Sequence, residues 1–298
     1  MTSYRLLSYQ SPNGPRAGLL VGDTVHDVPG YASVLAALED WAKAKPAIEK
    51  AAEAAVGKPG KKLSEVKLLA PVLYPPTIYC AGANYSDHMA NMAKVQNIPV
   101  EPDPHDLGLH PWHFIKVSRC AVATGNDVEL CCEKLDWEAE LGLVIGTKMK
   151  NVPIDKVLDH VAFYTIGNDL SARDLTARPH IAFQSPFKYD WIGQKVFDGA
   201  CPMGPWLVPA AEIGDPQKLA IKLWVNGELK QDSNTAKMIF TAAEQLVRLS
   251  SRITLYPGDV VLTGTPSGVG AETGVFLKRG DTMKITIEKI GDLVNKIV

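Results

Sequence analysis

The sequence predicts an α+β protein that is mostly β, with a small N-terminal α/β domain over residues 1–70 and a larger β-rich domain over residues 71–298. Three observations lead there. After Pro71 the chain becomes a series of short β-prone segments punctuated by Gly and Pro; before it lies one long Ala-rich stretch with helical apolar spacing; and strands do not alternate with helices as βαβ units would. Many short strands with frequent turns predict a barrel or a folded-over sheet.

The N-terminal runs YRLLSY, RAGLLV and TVHDV are separated by the turn signals SPNGP and VGD, which predicts a small β-meander. Residues 33–57 (SVLAALEDWAKAKPAIEKAAEAAVG) follow as helix, with Pro46 expected to break it in two. KPGKKLSEVKLLAP, at 58–71, mixes turn residues with charge and predicts a linker. Beyond it, PTIYCAG, ELGLVIG, KLAIKLWVNG, ITLYPGDVVLTG and DTMKITIEKIG are the strand candidates, and TAAEQLVRLSSRI from Thr241 is the main helix candidate.

Composition narrows the function. A net charge of -2 gives no basic field for nucleic acid. No apolar run of about 20 residues is long enough to span a bilayer, and the polar start MTSYRLLSYQ has no apolar core of a secretory signal, so a cytosolic protein is expected. Five scattered cysteines without a CxxC pair predict reduced thiols rather than disulfides or a zinc site. No GxGxxG or Walker pattern opens a helix. Partners are expected to be small molecules or a second copy of the chain.

One stretch resists this plain reading. In LDWEAELGLVIG, at 135–146, Asp136, Glu138 and Glu140 fall at every second position and so on one face of a strand. For an isolated ExE a solvent-facing strand edge is the commoner arrangement. Here the acids run into LGLVIG, apolar on both faces, and a second acid-bearing segment, YTIGNDLSARD, places Asp169 at a strand end. Three carboxylates from two strands form a hard, oxygen-only site suited to Mg²⁺ or Mn²⁺.

Five motifs then carry a resemblance: GANYSDH (82–88), DWEAELGLVIG (136–146), GNDLSARD (167–174), GQKVFDGACPMGPW (193–206) and LTGTPSGVG (262–270). In this order they resemble the fumarylacetoacetate hydrolase family, over about residues 70–298. The resemblance implies a mixed β-sheet roll or barrel, a homodimer, and a Mg²⁺, Mn²⁺ or Ca²⁺ ion held by Glu138, Glu140 and Asp169. It also implies a 2-keto acid or 1,3-diketone substrate. His88 becomes the candidate base and Lys195 the donor to developing charge, while Thr265 offers a hydroxyl to a substrate carboxylate. Arg173 pairs with substrate or with an acid such as Asp174, the two readings being equal. Tyr85, and Gln184 in the 176–191 insertion, complete the substrate-binding candidates.

The sequence departs from the pattern at one place. Many small members carry Glu three residues after the motif His, on a helix that closes over the site; here that position is Asn91, which orients an imidazole but takes no proton. Glu101, Asp103, His105 and Asp106, in the Pro-rich segment after it, are the replacement candidates, and residues 86–112 are expected to form a mobile lid with selectivity set near Trp112 and His113. The leading expectation is a metal-dependent hydrolase of a C–C bond in an acylpyruvate-like compound, from aromatic or sugar-acid catabolism. The alternatives are a decarboxylase, isomerase or hydratase on the same site, and a non-catalytic keto-acid binder.

Overall fold

The computed structural model describes residues 2–298. Its backbone is a mixed, mostly β structure built on one twelve-stranded sheet and one five-stranded sheet. The large sheet runs from Lys61–Lys62 through Thr24–Asp27, Gly14–Val21, Arg5–Ser11, Cys201–Pro209, Val161–Asn168, Ala139–Ile145, Val260–Leu262 and Ile78–Ala81 to His113–Lys116. Among the described residues both ends are free edges, so of the two expected forms, barrel or folded-over sheet, the chain adopts the open sheet. The smaller sheet pairs Ala220–Val225 with Glu228–Asn234 and Thr282–Ile287, which in turn pairs Gly291–Ile297.

The central strands explain why this order is stable. All seven residues of Ala139–Ile145 and all eight of Val161–Asn168 are buried, as a strand covered on both faces requires. One face, with Leu141, Leu143 and Ile166, shares an apolar cluster with Ile221, Leu223 and Ile285 of the small sheet. The other, with Val144 and Phe163, packs on Val34, Leu38 and Ile48 of the N-terminal helices. Truncating a side chain such as Leu143 to Ala would cost about 2–5 kcal/mol.

The meander of the first 30 residues continues this same sheet, because Arg5–Ser11 pairs with Cys201–Pro209. Two expectations change locally. The helical break lies at Asp40, which ends Val34–Glu39 and starts Trp41–Ala55, while Pro46 is carried inside the second helix; burial of Ala44, Ile48 and Ala52 compensates for the lost N–H. The 58–71 segment is not a plain linker: Lys61–Lys62 and Lys67–Leu69 pair with strands of the meander. The helix from Thr241 forms as expected over Ala242–Arg252, closed by a reciprocal Thr241–Glu244 capping box.

A carboxylate floor under a histidine roof

The acids of DWEAEL come together with Asp169 by sheet register. Ala139 pairs with Asn168 across the antiparallel central strands, so Glu138 and Asp169 meet where both strands end, and Asp169 N donates to Glu138 O over 2.9 Å. Glu140, two residues on, emerges on the same face. Ligand oxygens of Glu138, Glu140 and Asp169 lie within 4.8 Å of one another, all three residues buried. The backbone freed at the strand end is satisfied by side chains: Glu138 N donates to Asn168 Oδ1 (2.9 Å) and Ala139 N to Gln231 Oε1 (3.0 Å).

Cations hold this floor folded. Lys195 Nζ reaches Glu138 Oε2 at 3.0 Å and Asp169 Oδ2 at 2.7 Å. Arg173 donates to Glu138 Oε1 (2.6 Å) and Asp136 Oδ2 (2.9 Å). Buried Lys116 lies 2.8 Å from Asp169 Oδ1 and also donates to the Leu170 and Lys195 carbonyls. Burial works against the Glu138 carboxylate, yet Lys195 and Arg173 outweigh it and hold its pKa down to about 2. Glu140 goes the other way: burial first, then the charges of Asp169 and Glu138, push it well above the ordinary value. Lys195 stays an ammonium, since Asp169 and Glu138 overcome the desolvation that disfavours its charge.

Glu140 Oε1 is buried here with no partner, and Asp169 Oδ1 makes no aligned hydrogen bond, its neighbour being the Lys116 ammonium at 2.8 Å. An unpaired acceptor on one of three clustered acids, at a site with only oxygen donors, fits a hard divalent cation. Asp136 belongs to the support beneath. It accepts from the backbone N–H of Gly270 (2.6 Å) and Ala271 (3.0 Å) as well as from Arg173.

Above the floor, helix Ser86–Gln96 presents His88. Asp87 fastens its first turn, accepting from His88 N and Ser267 N through Oδ1 and from Ser233 Oγ and Lys237 Nζ through Oδ2. The acid that partners His88 is Glu272: its Oε1 is 2.6 Å from His88 Nδ1, and its Oε2 accepts from Ser267 Oγ, Gly268 N and Asn91 Nδ2. Burial opposes this carboxylate, but the bonds from His88, Gly268 and Ser267 keep its pKa below the ordinary value. Asn91 therefore touches the dyad through Glu272 rather than through the imidazole.

The expected replacements lie elsewhere. His105 bonds Asp103 and Glu244 and packs at a tilt against Phe240, and neither Glu101 nor Asp106 pairs with His88. Glu272 escaped notice because it is 184 residues from His88; the only signal was an acid just past the LTGTPSGVG motif.

A cavity of about 180 Å³ separates floor and roof, with Glu138, Arg173, Lys195, Thr265 and His88 in its lining. Thr265 Oγ1 accepts from Gln231 Nε2 (2.9 Å), which leaves its own proton to donate. Arg173 pairs with Asp136 and Glu138, while Asp174 instead accepts from Glu133 N and Lys134 N. Two of the substrate-binding candidates fall outside the cavity. Tyr85 is wholly buried in the core with an unpartnered hydroxyl, and Gln184 is exposed on the 176–191 segment. Gln194 lines the cavity in its place. Trp112 is also in the wall, its indole lying where a Cβ on Gly82 would be. His113 faces a different cavity, beside Arg248 and Arg252, where burial lowers its pKa to about 4.

Comparison with known proteins agrees with this geometry. Residues 77–298 match the fumarylacetoacetate (FAA) hydrolase C-terminal family. The human mitochondrial oxaloacetate tautomerase FAHD2B is 40% identical over 239 residues, which cover 79% of this chain and 70% of that protein. Oxaloacetate tautomerase YisK of Bacillus subtilis is 40% identical over 266 residues, 87% of this chain and 80% of the relative. Among solved structures, a maleylpyruvate hydrolase from Sphingobium sp. SYK-6, in complex with manganese(II) and pyruvate, superposes with a TM-score of 0.75 at 25% identity over 99% of this chain and 98% of that one. A 5-carboxymethyl-2-hydroxymuconate delta-isomerase from Mycobacterium smegmatis gives 0.73 at 29% identity over 99% of both chains.

Proposed function

The chain belongs to the fumarylacetoacetate hydrolase family, and on that premise we propose that it is a metal-dependent tautomerase of a small 2-oxo acid of the oxaloacetate type. The observation that carries this reading is the His88–Glu272 pair set across a small cavity from Glu138, one of three clustered carboxylates. Tautomerisation needs one group that moves a proton between oxygen and C3, and a site that stabilises the enolate between. The naming of the 40%-identical relatives as oxaloacetate tautomerases favours this outcome over hydrolysis.

Glu138, Glu140 and Asp169 would hold the ion, Mg²⁺ or Mn²⁺ by the hardness of an all-carboxylate site. The chemistry such an ion would supply there is Lewis acidity toward a bound 2-oxo acid. The protein's own part follows from its hydrogen bonds. Glu272 on Nδ1 fixes the imidazole tautomer, leaving Nε2 to carry the proton between C3 and the 2-oxygen. The Thr265 hydroxyl donates to a substrate carboxylate, and Lys195 and Arg173 keep Glu138 ionised and in place. Among the described residues no helix is long and apolar enough to cross a membrane. The proposal includes a cytosolic homodimer.

The test is to follow enol-oxaloacetate converting to the keto form with purified protein and Mg²⁺ or Mn²⁺, with and without chelator. Metal-dependent acceleration lost in His88→Ala is the expected result; no acceleration above the metal alone removes the reading. A second reading, hydrolysis of an acylpyruvate, is favoured by the same dyad, which could equally deprotonate water, and by the maleylpyruvate hydrolase neighbour. Release of pyruvate from an acylpyruvate would select it.

A further inference from the structure

One buried polar group in the cavity wall has no task in this chemistry. Gln194 is 4% exposed and lines the cavity, and among the described residues its amide is bonded at neither end: Oε1 is buried without a partner and the Nε2 donor meets no acceptor. The other polar side chains around it are engaged: His88 by Glu272, Glu138 by Arg173 and Lys195, Thr265 by Gln231. A donor in a buried wall is unfavourable when left unpaired, and Nε2 is the group that an entering acceptor oxygen completes. Gln194 is carried on the turn Trp191–Lys195, whose start is pinned by Asp190 accepting from Gly193 N over 2.8 Å. Trp191, three residues earlier, packs on Trp112 and Phe114 at 5.7 and 5.9 Å between centroids. The amide is thus a polar point in an aromatic wall, on different elements from the carboxylate floor.

Charge indicates what it receives. Four carboxylates (Asp136, Glu138, Glu140, Asp169) lie among three cations (Lys116, Arg173, Lys195). With a divalent ion bound and all four carboxylates ionised, the cluster is left with one positive charge, which one chelating carboxylate neutralises. Any further substrate oxygen is then best met by a neutral donor, and an apolar tail would leave Nε2 unpaired. We propose that Gln194 is a substrate-binding residue whose Nε2 donates a hydrogen bond to an oxygen on C4, selecting four-carbon 2-oxo diacids over 2-oxo acids with an apolar end. The inference rests on the tautomerase reading for its substrate class.

The test measures binding to the Mg²⁺-loaded full chain, by tryptophan fluorescence and calorimetry, for oxaloacetate, for 2-oxobutyrate, which has the same chain length but no C4 oxygen, and for oxalate. Gln194→Met, nearly isosteric and apolar, should weaken oxaloacetate at least tenfold while 2-oxobutyrate and oxalate stay within twofold. Gln194→Glu should weaken oxaloacetate further by charge repulsion. If Gln194→Met moves oxaloacetate and 2-oxobutyrate by the same factor, or neither, the proposal is overturned. Should the wild type bind oxaloacetate with this C4 dependence but not turn it over, Gln194 keeps its role and the tautomerase reading falls; turnover with no effect of Gln194→Met gives the reverse.

Discussion

The floor and the roof of the cavity are built on opposite principles. The floor sits on the two central strands, every residue buried, its acids spaced by sheet register and restrained by Lys116, Arg173 and Lys195. The roof is a mostly exposed helix followed by the Pro-rich 97–111 segment, with Ile98, Val100, Leu107 and Leu109 all about half-exposed or more. A site that must concentrate charge needs a stiff, crowded frame; a group that must meet substrate and let product leave can sit on a lightly packed element. The two are joined through the glycine-rich turn at 264–270, where Gly264 N bonds Glu140, and through Ser267 and Gly268, which bond Glu272.

Breaking the floor should have the largest effect. Asp169→Ala strands two buried lysines as well as removing a ligand, so metal binding and turnover should vanish and stability fall by about 3–5 kcal/mol, read by calorimetric metal titration and denaturant unfolding. Glu140→Gln should also lose the metal but with the opposite sign on metal-free stability. The folded Glu140 pKa is raised above its ordinary 4.5, so its contribution is full below that pH and is lost as pH rises through the folded value. The substitution should flatten that decline in a melting-temperature series; a metal-free variant less stable than wild type at neutral pH would contradict it.

Breaking the roof should spare the metal. Glu272→Gln is expected to leave metal affinity within a few-fold and lower turnover on the order of 100-fold, the low end for general acid–base catalysis. Unchanged turnover would remove Glu272 from the dyad. Asn91→Glu, which restores the commoner family residue, should reduce activity by roughly tenfold, because it sets a second carboxylate where Asn91 Nδ2 now donates to Glu272 Oε2 at 3.2 Å. Pairing it with Glu272→Gln should recover part of the loss if the two positions are alternative seats for one acid.

The smallest effect concerns the outer roof. Both His105 nitrogens face carboxylates, Asp103 at 2.8 Å and Glu244 at 3.0 Å, and these bonds raise its pKa above the ordinary 6.5. The tether from the 97–111 segment to helix Ala242–Arg252 is therefore complete below about pH 6.5 and weakens as pH rises through the raised value. Hydrogen exchange of this segment should quicken modestly across that range, and His105→Gln should abolish the pH step. At an exposed site the change in global stability should be near zero.

How much of this was legible follows the same division. Glu138, Glu140 and Asp169 could be read from sequence because strand period two and sheet pairing are local rules, and a buried run with alternating acids has few uses besides binding a cation. The continuity of both flanks of LGLVIG with the core was equally legible. Asp136 was readable only as an acid on the right face; its role in bonding Gly270 and Ala271 depends on a segment 134 residues away.

What only the tertiary structure decided is which distant groups meet. Glu272 reaches His88 because the 264–272 turn folds back over the strand end, and no periodicity links positions so far apart. The same holds for Gln194 replacing Gln184 at the cavity: a short helix pinned by Asp190 turns one amide inward and leaves the other in solvent. Local spacing determined the acids that bind charge. Chain folding over long loops determined the groups that face them, since a side chain's partner across a cavity is set by packing rather than by its neighbours in sequence.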